Sequence, residues 1–457
     1  DIMICFPRCY LRDTLDVCRK GFTLLETVIA VGILGMFFGA VALILHTILQ
    51  NVAESRVRTV ASTIAQQRME LVRNLPFNQV GTVGGIPQGA LTPTEAITLN
   101  GQTFNVTTSV VYIDDPFDTT APNDVIPADY KRVRVEVTWG GPFPSRVPVT
   151  YVTNIAPKGI ETTTGGGTLF LRVFNASGLP VDNATITIDN TLVNPPIHMQ
   201  TLSDQYGQTI LPGAPACVTC YEIKVTKSNN YSLDRTYSTG EVTNPLQPHA
   251  TVIEGQVTQI SFVIDQVSTL IINSYGSRES GFPPIANVYF TLKGAKIIGY
   301  DTTDEPVYKY SYSTNTGGGS VMLPGLEWDS YTLDFTNSAH VLAGSNPANP
   351  LSLPPATAIT VAMSAVPKGN TSLLVIMNNL SQQLLGSASA QLSNLGIGFI
   401  ATKSAGATGA ADMGQAFFGG LTPSAYDLKI TADGYQESTG SVNVNGNMQQ
   451  IMTLSSP

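Results

Sequence analysis

Charge is scarce in this 457-residue chain: Asp, Glu, Lys and Arg make up 12% of it, about half the share of an average globular protein. Histidine is scarcer still, with only His46, His198, His249 and His340. No HExxH, GxSxG or Walker-type run accompanies them, so no catalytic constellation is legible; a non-enzyme without a cofactor is expected. The formal net charge of −9 argues against a phosphate-backbone binder, and no nucleic-acid partner is expected. Cysteine is limited to five residues, three of which, Cys5, Cys9 and Cys18, fall near the start. The other two form a Cys217-Val-Thr-Cys220 pair. Outside a membrane such a pair reads as a small disulfide loop, with a redox centre or half a zinc site as the alternatives. No second ligand pair completes a Cys-type metal site.

One long stretch lacks fixed charge altogether. From Thr27 to Leu49 every residue is uncharged, and that length meets the roughly 20 apolar residues a membrane-spanning helix needs. Directly before it stands Lys20-Gly21-Phe22-Thr23-Leu24-Leu25-Glu26. Glu26 lies one turn into the apolar run, where a lone carboxylate costs about 3 kcal/mol or more, so it requires a partner. Past the span, Ala53, Val57, Val60, Ile64, Leu71 and Leu75 keep a helical spacing, with Arg68 as the one polar intruder. This half should leave the membrane and lay an apolar stripe on a globular head. Pro76 stops the pattern. The predicted helix, 22–75, would be about 80 Å long at 1.5 Å per residue. Gly32, Gly35 and Gly39 could let helices approach closely, or reflect the frequency of glycine in membrane helices.

The order of a basic pair, Arg19-Lys20, then Gly21, Phe22 and Glu26 ahead of an apolar helix resembles type IV pilin and pseudopilin precursors. The resemblance implies that residues 1–21 are a leader, cut by a prepilin peptidase between Gly21 and Phe22. It also implies that the new Phe22 amine is methylated, and that Glu26 pairs with the amine of a neighbouring pilin subunit in a filament. A secretory signal would carry its apolar core before the cut, not after it. A plain signal anchor accounts for the span and for Arg19-Lys20, but not for Glu26. The leader holds four cations against three anions, so its removal takes the formal charge from −9 to −10.

Residues 22–76 are thus expected to be anchor and stalk, and residues 77–157 a β head. Asn100-Gly101 marks a hairpin turn within 96–106. The run from Lys131 to Trp139 alternates, with Val133, Val135, Val137 and Trp139 facing a core and Arg132, Arg134, Glu136 and Thr138 facing water. Residues 147–154 supply a further strand. Ala65 to Pro76, with Asp114-Asp115-Pro116 and Asp129-Tyr130-Lys131, resembles the PilV-like minor-pilin branch. Asp114, Asp115, Asp118, Asp124 and Asp129 invite a calcium hypothesis. Their spacing fits no EF-hand loop, and the interleaved prolines suit a solvated turn.

Residues 158–167 read as a glycine-rich linker. Beyond it the chain repeats itself: Leu169, Leu270 and Leu373 align at periods of 101 and 103 residues. Gly207…Leu211-Pro212-Gly213 with Tyr221 returns as Gly319…Leu323-Pro324-Gly325 with Tyr331, and as Gly414…Gly419-Gly420 with Tyr426. Each unit, 168–266, 267–369 and 370–457, is expected to be a small antiparallel β-sandwich. This pattern resembles carboxypeptidase-regulatory-like and Cna B-type domains. It departs from the cross-linked members, whose first strand supplies a lysine; the first repeat offers Arg172 there, so no isopeptide bond is expected. Trp328, Tyr231 and Tyr435 could stack on sugars or proteins, or plug the cores.

The expected fold class is an α+β pilin, a long N-terminal helix on an antiparallel sheet, followed by three all-β, Ig-like or prealbumin-like sandwich modules. The expected function is a minor type IV pilin-like subunit. It would begin as a single-pass protein of a bacterial inner membrane, assemble through its helix, and display the modules at the cell surface to a protein or glycan ligand. A pseudopilin of a type II-like secretion system and a simple membrane-anchored surface protein are the alternatives.

Overall fold

The computed structural model describes residues 24–114, 129–141, 144–145, 147–157 and 166–456. They form one N-terminal helix followed by short, mostly antiparallel sheets stacked into sandwich-like domains. Two compact units are distinguished: residues up to Leu71 with Thr94–Thr107 and Val135–Tyr151, and the remainder.

The helix α1, Leu24–Asn74, is close to the predicted extent. In its second half Ala61, Ile64, Ala65, Met69 and Val72 are buried, while Leu71 is 44% exposed. The buried stripe is therefore rotated from the expected one by most of the roughly 100° step between helical residues. Small Ala61 and Ala65 let the backbone approach its support, and Leu71 falls on the rim. Arg68, the expected intruder, pairs with Glu95. Tyr151 Oη hydrogen-bonds Ser62 Oγ at 2.9 Å.

Thr94–Leu99, Gln102–Ile113, Tyr130–Trp139 and Val149–Ile155 form a four-stranded sheet in that order. Its hairpin turns at Asn100 and Gly101, with φ of 51° and 76°, the left-handed pair a two-residue hairpin requires. Val133, Val135, Val137 and Trp139 are buried as expected. So is Lys131, whose position two before Val133 puts it on the same face.

Three hydrophobic clusters follow. The first gathers Leu169, Leu171, Ile186, Ile223 and Phe262 around Tyr221; the second has Leu270, Ile272, Leu292, Leu333 and Val361 with Tyr331; the third has Leu373, Val375, Leu392, Leu428 and Ile430 with Tyr426. Each repeated Leu stands on an opening strand, Gly166–Phe174, Ser268–Tyr275 or Ser372–Asn379. Each opening strand pairs antiparallel with the strand that carries or follows the repeated glycines, Gln208–Pro215, Ser320–Leu326 or Gln415–Gly419.

Three expectations need correction. The sheets are not purely antiparallel: the closing strands Val257–Val263, Ala358–Pro367 and Asn447–Leu454 each run parallel to their opening strand. Between the two the chain crosses to the second sheet and back through an even number of reversals, which returns it parallel. Gly166 and Gly167 belong to a strand and not to the linker; a Cβ on either would collide with the backbone of Ala214 or Ile253. Finally, Ile86, assigned to the head, is buried in the first of the three clusters, where His198 N donates to Gly84 O at 2.9 Å.

Candidate functional site

The N-terminal half of α1 is apolar on every side and open. Val31 to Leu49 includes Ile33, Leu34, Phe37, Phe38, Leu43, Ile44, Leu45 and Ile48, each exposed by half or more. The apolar window has a mean hydropathy of 2.2 and none of it is buried. Such a surface is stable only against lipid or other helices. Arg19, Lys20, Gly21 and Phe22 lie outside the described residues; Glu26 is on α1, with its side chain outside them.

Where α1 ends, Pro76 leads into a short 3-10 turn, Phe77–Gln79. Lys131 reaches this turn from the sheet. Its Nζ donates to Phe77 O at 2.9 Å and Val80 O at 2.7 Å, and lies over the rings of Phe77 and Tyr112. The sequence alternation that places Val133 inside also signals Lys131, a cue the hydrophobic pattern alone misses. Burial lowers its pKa from 10.5 to about 8. The folded amine thus releases its proton before the unfolded one, and stability should rise with pH between about 8 and 10.5, by up to about 3 kcal/mol. Urea midpoints read by Trp139 fluorescence should climb across that window. Lys131→Met should flatten the slope.

The repeats meet through charge and backbone. Between the first and second, Lys309 Nζ is 2.8 Å from Glu327 and 3.7 Å from Asp234, and Lys296 adds a second bond to Glu327 at 2.8 Å. Burial raises the pKa of Asp234 against the pull of Lys309; the carboxylates raise that of Lys309 despite its burial. Lys296, Lys309 and Glu327 border a cavity of about 170 Å³ with Tyr310 and Tyr331. Asn244-Pro245 also pairs with Gly299 and Tyr300 across the repeat boundary.

Between the second and third, Arg278 is the hub. Its Nε donates to Asp412 Oδ2 at 2.7 Å, one terminal nitrogen to Ser404 O, and the other to Gln415 O at 2.8 Å. Gln415 is fully buried; its amide accepts from Ser345 N at 3.1 Å and donates to Ser345 O at 2.6 Å. Burial raises the pKa of Asp412 even with Arg278 beside it. None of these residues carries a local sequence signal.

Other predicted residues are placed as follows. Cys217 and Cys220 stand with their sulfurs 2.17 Å apart, as a disulfide. Asp114 follows the strand Gln102–Ile113, while Asp115, Asp118 and Asp124 lie outside the described residues. Among the described residues no group of three His, Cys, Asp or Glu could hold a metal. Tyr231 packs on the first of the three clusters and Tyr435 on the third. Trp328 instead carries Lys296 Nζ 3.4 Å from its ring centre. His198 pairs with Asp189 at 2.8 Å on the surface.

No family model matches the chain, and no curated protein matches it. Solved structures of similar chains include the Bacillus anthracis TIE protein, 12% identical over 80% of this chain and 73% of that one, with a TM-score of 0.18. The minor pilin GBS52 of Streptococcus agalactiae is 12% identical over 44% of this chain and 97% of its own, at 0.20. The shaft pilin SpaA of Lactobacillus rhamnosus GG is 14% identical over 42% and 98%, at 0.16. Identities and scores this low assign the chain to no family.

Proposed function

We propose that this chain is a minor, PilV-like type IV pilin subunit that displays three β-sandwich modules on a cell surface. The observation that carries the reading is α1: an open apolar half preceded by Lys20-Gly21-Phe22 and Glu26, then a half buried on its own sheet. The first half suits lipid before assembly and other pilin helices after it. In this reading a prepilin peptidase removes residues 1–21, the Phe22 amine is methylated, and Glu26 meets the amine of a neighbour. A heavy ectodomain is easier to place at a tip or at rare positions than in every subunit, which favours a minor component. Cys217–Cys220 serves as a structural bridge, and no catalysis is assigned.

N-terminal sequencing of the mature protein should return N-methyl-phenylalanine at Phe22; an intact leader overturns the reading. Glu26→Ala should leave membrane insertion unchanged and cut incorporation into sheared filaments by about a hundredfold, since an unmatched charge in lipid is worth about 3 kcal/mol. Detection in sheared filaments separates a pilus subunit from a secretion pseudopilin.

A further inference from the structure

Between the end of α1 and the first strand of the head, residues 81–91 fold back on themselves. Leu91 N donates to Gly81 O at 2.9 Å, Val83 N to Leu91 O at 2.9 Å, and Thr82 N to Pro87 O at 3.1 Å. A Cβ on Gly89 would stand 2.4 Å from Gly81 N, and one on Gly81 would stand 2.4 Å from Gln88 O. Glycine at both positions therefore lets the two ends of the loop touch, as compact surface loops require.

The middle of this loop belongs to another module. Ile86 is 1% exposed and lies in the first of the three clusters, whose other buried members all come from residues 169–264. Polar groups beside it are matched by the same repeat: His198 N donates to Gly84 O at 2.9 Å, and Gln88 Nε2 to Pro195 O at 3.1 Å. His198 is on Ile197–Leu202, the last strand of its sheet, so the loop covers an edge that the repeat leaves open. Tyr112 adds a second contact, its ring carbon Cε2 lying 3.4 Å from where a Cβ on Gly213 would stand. The same ring faces Lys131 Nζ, which holds Phe77 O and Val80 O just before the loop.

We propose that residues 81–91 are a plug that locks the end of the stalk to the first repeat, so that the joint between them is this loop and not the glycine-rich stretch 158–167. The occupant of the repeat's edge is fixed by the chain itself. Its backbone is braced by its own hydrogen bonds and glycines, so little ordering is left to offset the burial of Ile86. The first repeat is incomplete without a piece of chain that precedes the whole head sheet. The inference does not rest on the filament reading and holds for any membrane-anchored form.

Full-length chain in lipid nanodiscs, with Cys5, Cys9 and Cys18 replaced by Ser, tests it. Spin labels on Val152→Cys and Tyr206→Cys, both exposed in the parent chain, report the distance across the joint. About ten Gly-Ser residues are then inserted after Gly159, giving a connection whose ends would wander over about 20 Å if nothing else held them. Insertion alone should leave the distance distribution as narrow as before. Insertion combined with Ile86→Asp should widen it at least about threefold, and so should insertion with Gly89→Val, which breaks the loop without entering the core of the repeat. A distribution widened by insertion alone, or left narrow in either combined variant, overturns the proposal.

Discussion

Chain carrying Arg278→Ala is expected to lose about 3–5 kcal/mol where the second and third repeats meet, the loss typical when one partner of a buried ion pair is removed. Asp412 has a side chain only 7% exposed, and its Oδ1 is buried without a hydrogen-bond partner. Without Arg278 the carboxylate loses its paired cation and the Ser404 carbonyl loses this donor, while Gln415 O is left with Gly406 N at 3.1 Å. The sign with pH is defined. Burial already holds the folded Asp412 pKa above its unfolded value, so its ionised form costs stability once pH rises through the folded pKa. Arg278→Ala should therefore be least damaging near about pH 4 and worst at neutrality. Chemical denaturation at both pH values checks this. Arg278→Ala with Asp412→Asn should recover part of the loss; if the double variant is no more stable than the single one, the pair is not the cause.

The second large effect is expected at the repeated tyrosine. Tyr221, Tyr331 and Tyr426 are at most 1% exposed, and each hydroxyl donates to a backbone carbonyl a few residues upstream: Pro215 O at 2.6 Å, Glu327 O at 2.8 Å and Thr422 O at 2.8 Å. Each ring fills a cluster while its oxygen ties down the turn before its strand. Tyr426→Ala should cost about 3–5 kcal/mol, a large share of the 5–15 kcal/mol a domain typically has. Tyr426→Phe keeps the ring and should cost about 1 kcal/mol. Hydrogen exchange should show protection lost throughout the third repeat in Tyr426→Ala, and only around Thr422 in Tyr426→Phe. Burial also pushes the Tyr221 hydroxyl to about 12, so it should stay protonated in alkali that ionises exposed tyrosines.

Much of this fold was legible because its signals are local. The apolar length of α1, the Asn100-Gly101 turn and the alternation from Val133 to Trp139 each depend on neighbours within a few residues. The recurrence of Leu169, Leu270 and Leu373 with their tyrosines is a signal of another kind, a repeat over about a hundred residues, and each Leu and Tyr pair falls in one of the three clusters. What escaped was set by residues far apart in sequence. Arg278 and Asp412 are separated by more than a hundred positions, and Asp412 sits in an Ala- and Gly-rich stretch without pattern. The parallel closing strands depend on a path through both sheets that alternation does not encode. Leu71 departs from the expected stripe because hydrophobicity alone does not encode how close Ala61 and Ala65 bring the backbone. A lysine on a strand ordinarily faces water, yet the parity of Lys131 with Val133 puts it inside.

The parallel pairing of opening and closing strands bears on how the chain withstands pulling. Tension drawn through a repeat enters at the start of one strand and leaves at the end of its parallel neighbour. The two are then dragged past each other lengthwise, and the whole ladder from Val257 to Val263, or from Asn447 to Leu454, must yield at once. Were the pair antiparallel, the load would open it one rung at a time.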